Sequence, residues 1–472
     1  MAQCAGRRGG DAAYRCSMSA DPADPRALCA LTASQALPLL HSGRLSAEAL
    51  ALALLDRIAQ RDPAVQAWAW VQPELVLAQA RERDARRLSG QALGPLHGLP
   101  VAVKDVIATA DLPTQHNSPL HVGERPGVDA ACVGLLRAAG AVILGKTDTV
   151  EFAATGRPAA TRNPHDLART PGGSSSGSAA AVADLQTPLA LATQTGGSTI
   201  RPAAFCGVWA LKPTWGLVST EGCKRYATTL DTLGWMARSV ADLGLLLDVF
   251  DAQPAAPAAP ARPVADLHIA ICRTPMWPQA EDATRQALDQ AEAQLRAAGA
   301  TVSRLSLPPD FDALPALQLR LMRAEGQAAL LNEYRLHGDA LSPSLRDQVL
   351  NTDGTSRAQL CADWDHAAAS RPRFDALAAP FDAVLTPSTP GVAPLGLQHT
   401  GSLVFNGLWT LLHVPCIHLP LWQGDSGLPV GLTLTGPRFA ERRLLAVAAQ
   451  LAQLFALRKA PTQAALLRGH TT

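Results

Sequence analysis

The sequence predicts an α/β fold with parallel strands covered on both faces, and three observations carry that reading. Val101-Ala102-Val103 is a continuous apolar run closed by Lys104, a helix from Ala130 with Val133, Leu136 and Arg137 on it stops at Gly140, and Ala141-Val142-Ile143-Leu144 is apolar again. Strand, helix and strand in that order, with no polar alternation in the strands, fit a parallel sheet buried on both sides. Alanine and leucine are abundant while aromatic residues make up only 4%, which favours packed helices over an all-β sandwich.

In chain order, residues 1–27 read as a disordered tail, with Met18 as an alternative start. Arg7-Arg8 lacks the apolar stretch that a twin-arginine signal requires. Ser46 is a good N-cap for a helix carrying Leu50, Leu54 and Ile58 and ending before Asp62-Pro63. A second helix spans Glu74 to Leu88 and leads through Gly94-Pro95 into the strand that ends at Lys104. The prolines at 254, 257, 260 and 263 mark 251–263 as a solvated linker or surface loop. Beyond it come a strand over Leu267 to Ile271, a helix over Ala283 to Ala297 and a strand from Thr301. Leu314, Leu317, Leu321, Ala328 and Leu331 form a helical stripe, and Ala383–Thr386 and Gly431–Leu434 read as late strands rejoining the sheet.

Composition narrows the function. Lysine and arginine number 41 against 40 acids, a net charge of +1 that provides no field for nucleic acid or an acidic membrane. Nine cysteines are scattered with no CxxC, which argues against zinc and against a disulfide framework and fits a reducing cytoplasm. The twelve histidines contain no HExxH. No apolar run approaches the ~18 residues that span a bilayer. The expectation is a cytoplasmic protein, monomer or homodimer, with no metal, cofactor, membrane or nucleic-acid partner.

The densest local signal is Arg169 to Pro202, where two Gly-Gly-Ser turns flank a small-residue helix and a short apolar strand. Each turn presents a serine, Ser174 and Ser198, and successive N–H groups in such a turn can converge on an oxyanion. Gly173-Ser174-Ser175-Ser176-Gly177 also satisfies GxSxG, which would make Ser175 the nucleophile of an α/β-hydrolase elbow, but the preceding residues spell a loop where the elbow needs a strand.

The two turns, spaced so that Ser174 lies 24 residues before Ser198, together with the apolar strand ending Lys104-Asp105, resemble the amidase signature enzymes. The resemblance covers roughly Ala33 to Leu451. It implies one large domain over 28–472 with a mixed, largely parallel central sheet between helices. It further implies Lys104 as base, Ser174, held by a cis peptide, as proton bridge, and Ser198 as nucleophile, with the N–H groups of Thr195, Gly196, Gly197 and Ser198 as oxyanion hole. Serine needs a base, and a lysine serves only when burial keeps it neutral. Gln194 stands where many members have Asp, and Arg201 lies three residues after the nucleophile instead of two. These departures resemble the malonamidase-like branch, in which the arginine binds a substrate carboxylate, more than the family's glutamyl-tRNA amidotransferases; an arginine holding loop carbonyls is the other role open to Arg201.

The expected activity is hydrolysis of a small-molecule amide or carbamate, with esters also cleaved. Apolar segments at Leu314 to Met322 and Leu403 to Trp422, with Phe405, Trp409, Leu411, Leu412 and Trp422, point to an apolar or aromatic substrate. The alternatives are a malonamidase-type hydrolase, the catalytic component of a glutamyl-tRNA amidotransferase, and a scaffold that only binds.

Overall fold

The computed structural model describes residues 25–251, 253 and 262–456. The proposed start at Met18 and most of the expected tail and 251–263 loop lie outside them. The tail's expected boundary gives way at its end, because Pro25–Ala30 is helical.

The strands are β1 (Trp68–Trp70), β2 (Pro100–Lys104), β3 (Val142–Thr147), β4 (Leu189–Gln194), β5 (Trp209–Lys212), β6 (Thr232–Ala237), β7 (His268–Ile271), β8 (Thr301–Arg304), β9 (Ala383–Pro387), β10 (Cys416–Gln423) and β11 (Pro429–Thr435). They form one eleven-stranded sheet in the order β1-β3-β2-β4-β6-β5-β10-β11-β9-β7-β8. The sheet is mixed, as expected, but its parallel share is smaller: parallel ladders join β3, β2 and β4 on one side and β9, β7 and β8 on the other. The six remaining ladders, including the whole middle, are antiparallel. The sequence displays runs of apolar residues, and such runs report burial on two faces rather than strand direction.

Ser46 caps its helix by accepting from the Ala49 N–H at 3.0 Å. That helix, Ala47–Val65, does not stop at Asp62-Pro63; Pro63 is taken into its last turns, and Gln66 closes it in the left-handed conformation. The helical stripe from Leu314 resolves into two helices, Leu314–Ala329 and Leu331–His337.

The helix Ser176–Ala183 sits closest to the site and is buried on every side. Its small residues permit this. A Cβ at Gly177 would lie 2.1 Å from the Ala67 carbonyl oxygen and 2.5 Å from the Asp148 nitrogen, so any larger residue there would push the helix off its neighbours. Its far end is tied by Asp184, which pairs with Arg57 at 3.3 Å and Arg61 at 3.1 Å. Because β2 and β4 run parallel, with Val101 opposite Leu189 and Ala102 opposite Ala190, their C-terminal ends, Lys104 and Gln194, emerge at the same edge of the sheet. That edge is where open α/β sheets bind ligands.

Candidate active site

Among the described residues Lys104, Lys146 and Lys212 are lysines with no solvent exposure. Their partners differ in kind. Lys146 pairs with Asp105 at 3.3 Å and donates to the Ile107 carbonyl at 2.7 Å as well as to the Thr114 hydroxyl. Lys212 donates to the carbonyls of Pro213 and Val414 at 2.7 and 2.6 Å. Carbonyl and carboxylate oxygens only accept, and so hold an ammonium in its charged form. Lys104 instead faces two hydroxyls, donating to Ser174 Oγ and Thr193 Oγ1, each at 2.8 Å. A hydroxyl can also give its proton to a neutral amine. Burial pushes Lys104 down to about 7, Asp231 and Cys223 draw it back up, and Arg201 lowers it further. An amine in that range exchanges protons readily near neutrality.

The first turn is held from all sides. The Gly173–Ser174 peptide bond is cis. The Ser174 carbonyl accepts from Thr149 Oγ1 at 3.0 Å and from the Val150 N–H at 3.2 Å. Ser176 Oγ donates to the Gly172 carbonyl at 2.8 Å. Gly172 has φ +81°, and a Cβ on it would lie 2.7 Å from Pro202 Cα. Ser175 Oγ donates to the Thr193 carbonyl at 3.2 Å and accepts from the Thr193 N–H at 3.3 Å. That fully buried hydroxyl ties the turn to β4, and the residues before it form no strand, so the nucleophile-elbow alternative fails on both counts.

The second turn follows β4. Gln194 Oε1 accepts from the N–H groups of Thr199 and Ile200 at 2.9 and 3.0 Å, and its Nε2 donates to Thr410 Oγ1 at 2.9 Å. A glutamine here thus caps the helix Ile200–Cys206 with its carbonyl oxygen, and a carboxylate is not required. The turn's carbonyls point outward: Thr195 O accepts from Gln318 Nε2 at 3.0 Å, Gly196 O from Thr410 Oγ1 at 2.7 Å and Ser198 O from the Ser175 N–H at 3.3 Å. Among the described residues, none of the N–H groups of Thr195, Gly196, Gly197 and Ser198 donates to another protein group. Thr195, Gly196 and Ser198 line a cavity of about 330 Å³, and Ser198 is 8% exposed. Donors left free at a cavity wall are what a developing oxyanion needs.

Arg201 also lines the cavity. Its Nη2 and Nε donate to the Gly173 carbonyl at 2.8 and 3.2 Å, and its Nη1 to the Gly401 carbonyl at 2.7 Å. It therefore organises both the first turn and the loop opposite. Each terminal nitrogen carries one further N–H. Burial lowers Arg201 to about 10.

The structure thus gathers Lys104, Ser174, Ser198, Arg201 and the four turn residues at one sheet edge. No hydrogen bond joins Ser174 Oγ to Ser198 Oγ among the described residues, so the last link of a relay would form on substrate binding, when such contacts tighten. Several participants escaped the sequence reading, Gln318 and Thr410 among them. Thr193 was legible in hindsight as a polar residue within the apolar strand Leu189–Gln194, whereas Asp231, which accepts from Thr195 Oγ1 at 2.6 Å, carries no local motif. The aromatic segments do not form the pocket. Trp409 packs on Phe374 with ring centres 5.3 Å apart, Trp422 on Phe455 at 4.9 Å, and of those stretches only Met322 and Leu403 reach the cavity. Among the described residues no cluster of His, Cys, Asp or Glu could hold a metal ion, and no helix is long and apolar enough to cross a membrane.

The Amidase family model matches residues 49–445. The chain belongs to the amidase signature family. Among its relatives is the A-type subunit of the glutamyl-tRNA(Gln) amidotransferase of Chloroflexus aggregans, 37% identical over 88% of this chain and 95% of the relative. Among solved structures, the peptide amidase of Stenotrophomonas maltophilia superposes with a TM-score of 0.77 at 29% identity, covering 92% of this chain and 98% of that one. A chain described in connection with a vestigial protein complex and the origins of an s-triazine catabolic enzyme superposes with a TM-score of 0.80 at 30% identity, covering 90% and 98%. This amidase signature protein is accordingly an enzyme acting on carbon–nitrogen bonds other than peptide bonds. The amidotransferase relatives favour the amidotransferase alternative over the expected hydrolase of apolar amides and carbamates.

Proposed function

We propose that the protein is a serine amidohydrolase that forms an acyl-enzyme on Ser198 and takes a small amide carrying a carboxylate. The observation that carries the chemistry is the Lys104–Ser174 hydrogen bond beside a turn whose N–H groups are free. Neutral Lys104 takes the Ser174 proton as Ser174 takes that of Ser198, and Ser198 Oγ attacks the amide carbon. The oxyanion is received by the N–H groups of the second turn, each such donor being worth ~3 kcal/mol in a comparable enzyme. The proton returns through Ser174 to the leaving nitrogen, ammonia or an amine departs, and water hydrolyses the ester by the same route. Carbamates and esters fit the same attack as secondary substrates.

The carboxylate is argued from Arg201. Its guanidinium is buried at the cavity wall, and no carboxylate lines that cavity among the described residues. An anionic substrate would supply the missing countercharge through a paired hydrogen bond. This replaces the expected apolar or aromatic substrate, whose motivating side chains lie in the core.

A second reading follows from the relatives: the catalytic component of an amidotransferase, liberating ammonia for a charged tRNA, with partner proteins supplying the RNA contacts that a near-neutral chain lacks. Glutamine would bring the carboxylate, but also an ammonium for which the cavity has no acid among the described residues. The test is to compare ammonia release from malonamate, glutamine and a neutral aryl amide, in the parent and in Arg201→Lys. Malonamate should be preferred and should lose most in the variant. Preference for glutamine, dependent on added partner proteins, would establish the second reading, and preference for the neutral amide would refute the carboxylate. A fluorophosphonate adduct on any residue but Ser198 would end the nucleophile assignment.

A further inference from the structure

We infer that Asp231 is a positioning residue that holds the oxyanion turn in register, an inference that rests on the acyl-enzyme reading above. Asp231 Oδ1 accepts from Thr195 Oγ1 at 2.6 Å, at the first residue of the turn. Its Oδ2 accepts from the N–H groups of Tyr226 and Ala227 at 2.7 and 3.0 Å, so the carboxylate is fixed at both oxygens. The loop that carries it is gripped in turn. Glu325 accepts from the Thr229 N–H at 2.8 Å and from Trp364 Nε1 at 3.0 Å, and His413 Nε2 lies 2.7 Å from the Thr229 carbonyl. Asp231 is thus the end of a strut running from the helix Leu314–Ala329 to the turn. The same helix sends Gln318 to the Thr195 carbonyl, so the hydroxyl and the carbonyl of Thr195, a residue of the cavity wall, are both held from one side.

The experiment compares Asp231→Asn, Thr195→Val and Thr195→Ser by hydrogen exchange of the peptide covering 193–201 and by kcat and KM on the best amide. Asp231→Asn and Thr195→Val should speed exchange of that peptide and lower kcat by about tenfold or more, a fraction of what losing a donor outright costs, with KM little changed. Thr195→Ser, which keeps the hydroxyl, should restore both. Unchanged exchange in both tether variants overturns the strut. If Asp231→Asn fails to fold, Thr195→Val decides it. Exchange is read without substrate, so a parent that shows no Ser198 adduct would refute the acyl-enzyme reading and still leave the strut decided.

Discussion

The two Gly-Gly-Ser turns are near copies in sequence and opposites in construction. The first, at 171–176, commits its hydroxyls: those of Ser175 and Ser176 go to main chain, while the Gly173 carbonyl goes to Arg201. Its third hydroxyl, Ser174 Oγ, is fixed on Lys104. The second, at 195–198, is held by its carbonyls from outside, through Gln318, Thr410 and the Ser175 N–H. What it leaves is its donors. On the proposed mechanism one motif delivers a proton carrier, through a hydroxyl tied to Lys104, and the other an anion receptor, through N–H groups beside the cavity.

The largest expected effect tests that division at its centre. Ser198→Ala should remove turnover, by about 10⁶-fold if the residues act as one unit, and Lys104→Ala should cost nearly as much, with the double variant no worse than either. Turnover on the best amide, with circular dichroism to confirm the fold, measures this. A strictly additive double variant would show that the two turns do not serve one reaction. Next in size, activity should rise as pH passes through about 7, because Lys104 is the acceptor only once neutral and burial has brought it there; an optimum at pH 5 would rule it out as base.

A paired glycine experiment separates the turns directly. A Cβ at Gly197 would sit 2.6 Å from Asn406 Oδ1, so Gly197→Ala should displace the donors and reduce kcat by about 10²-fold, the scale of one lost oxyanion contact, with a modest change in melting temperature. Gly172→Ala meets backbone at a left-handed φ and should lower stability instead, by about 2 kcal/mol. If both variants lose activity and neither loses stability, the turns are alike after all. The smallest effect is Ser175→Ala, expected to cost about 1 kcal/mol of stability while the phosphonate adduct stays on Ser198.

How far the sequence could lead differed by level. Apolar runs announced Pro100–Lys104 and Val142–Thr147 because burial on both faces leaves no room for polar residues. They could not report that the strands between the two parallel blocks run antiparallel, since direction is set by connections and not by side chains. The turns that carry Ser174 and Ser198 were legible because their backbone demands glycine and small residues, and the place of Lys104 because a charged residue closes an apolar strand. Asp231, Gln318 and Thr410 were not, because each acts on the turn from a distant part of the chain through a single hydrogen bond that leaves no spacing to read. The aromatic residues of 405–422 were misassigned for a related reason: a tryptophan that fills a core and one that lines a pocket are the same letter.

The grip of Gln318 and Thr410 on the carbonyls of the second turn also has a consequence in time. Ser198, the proposed nucleophile, is translated with more than half the chain still to come, yet its turn is not held until residue 410 has emerged and folded back onto residue 196. A nascent chain carries Ser198 without the means to use it. Activity should therefore appear only near the completion of synthesis, and a fragment ending before the helix Gly407–Leu411 should be inert even with Lys104, Ser174 and Ser198 all present.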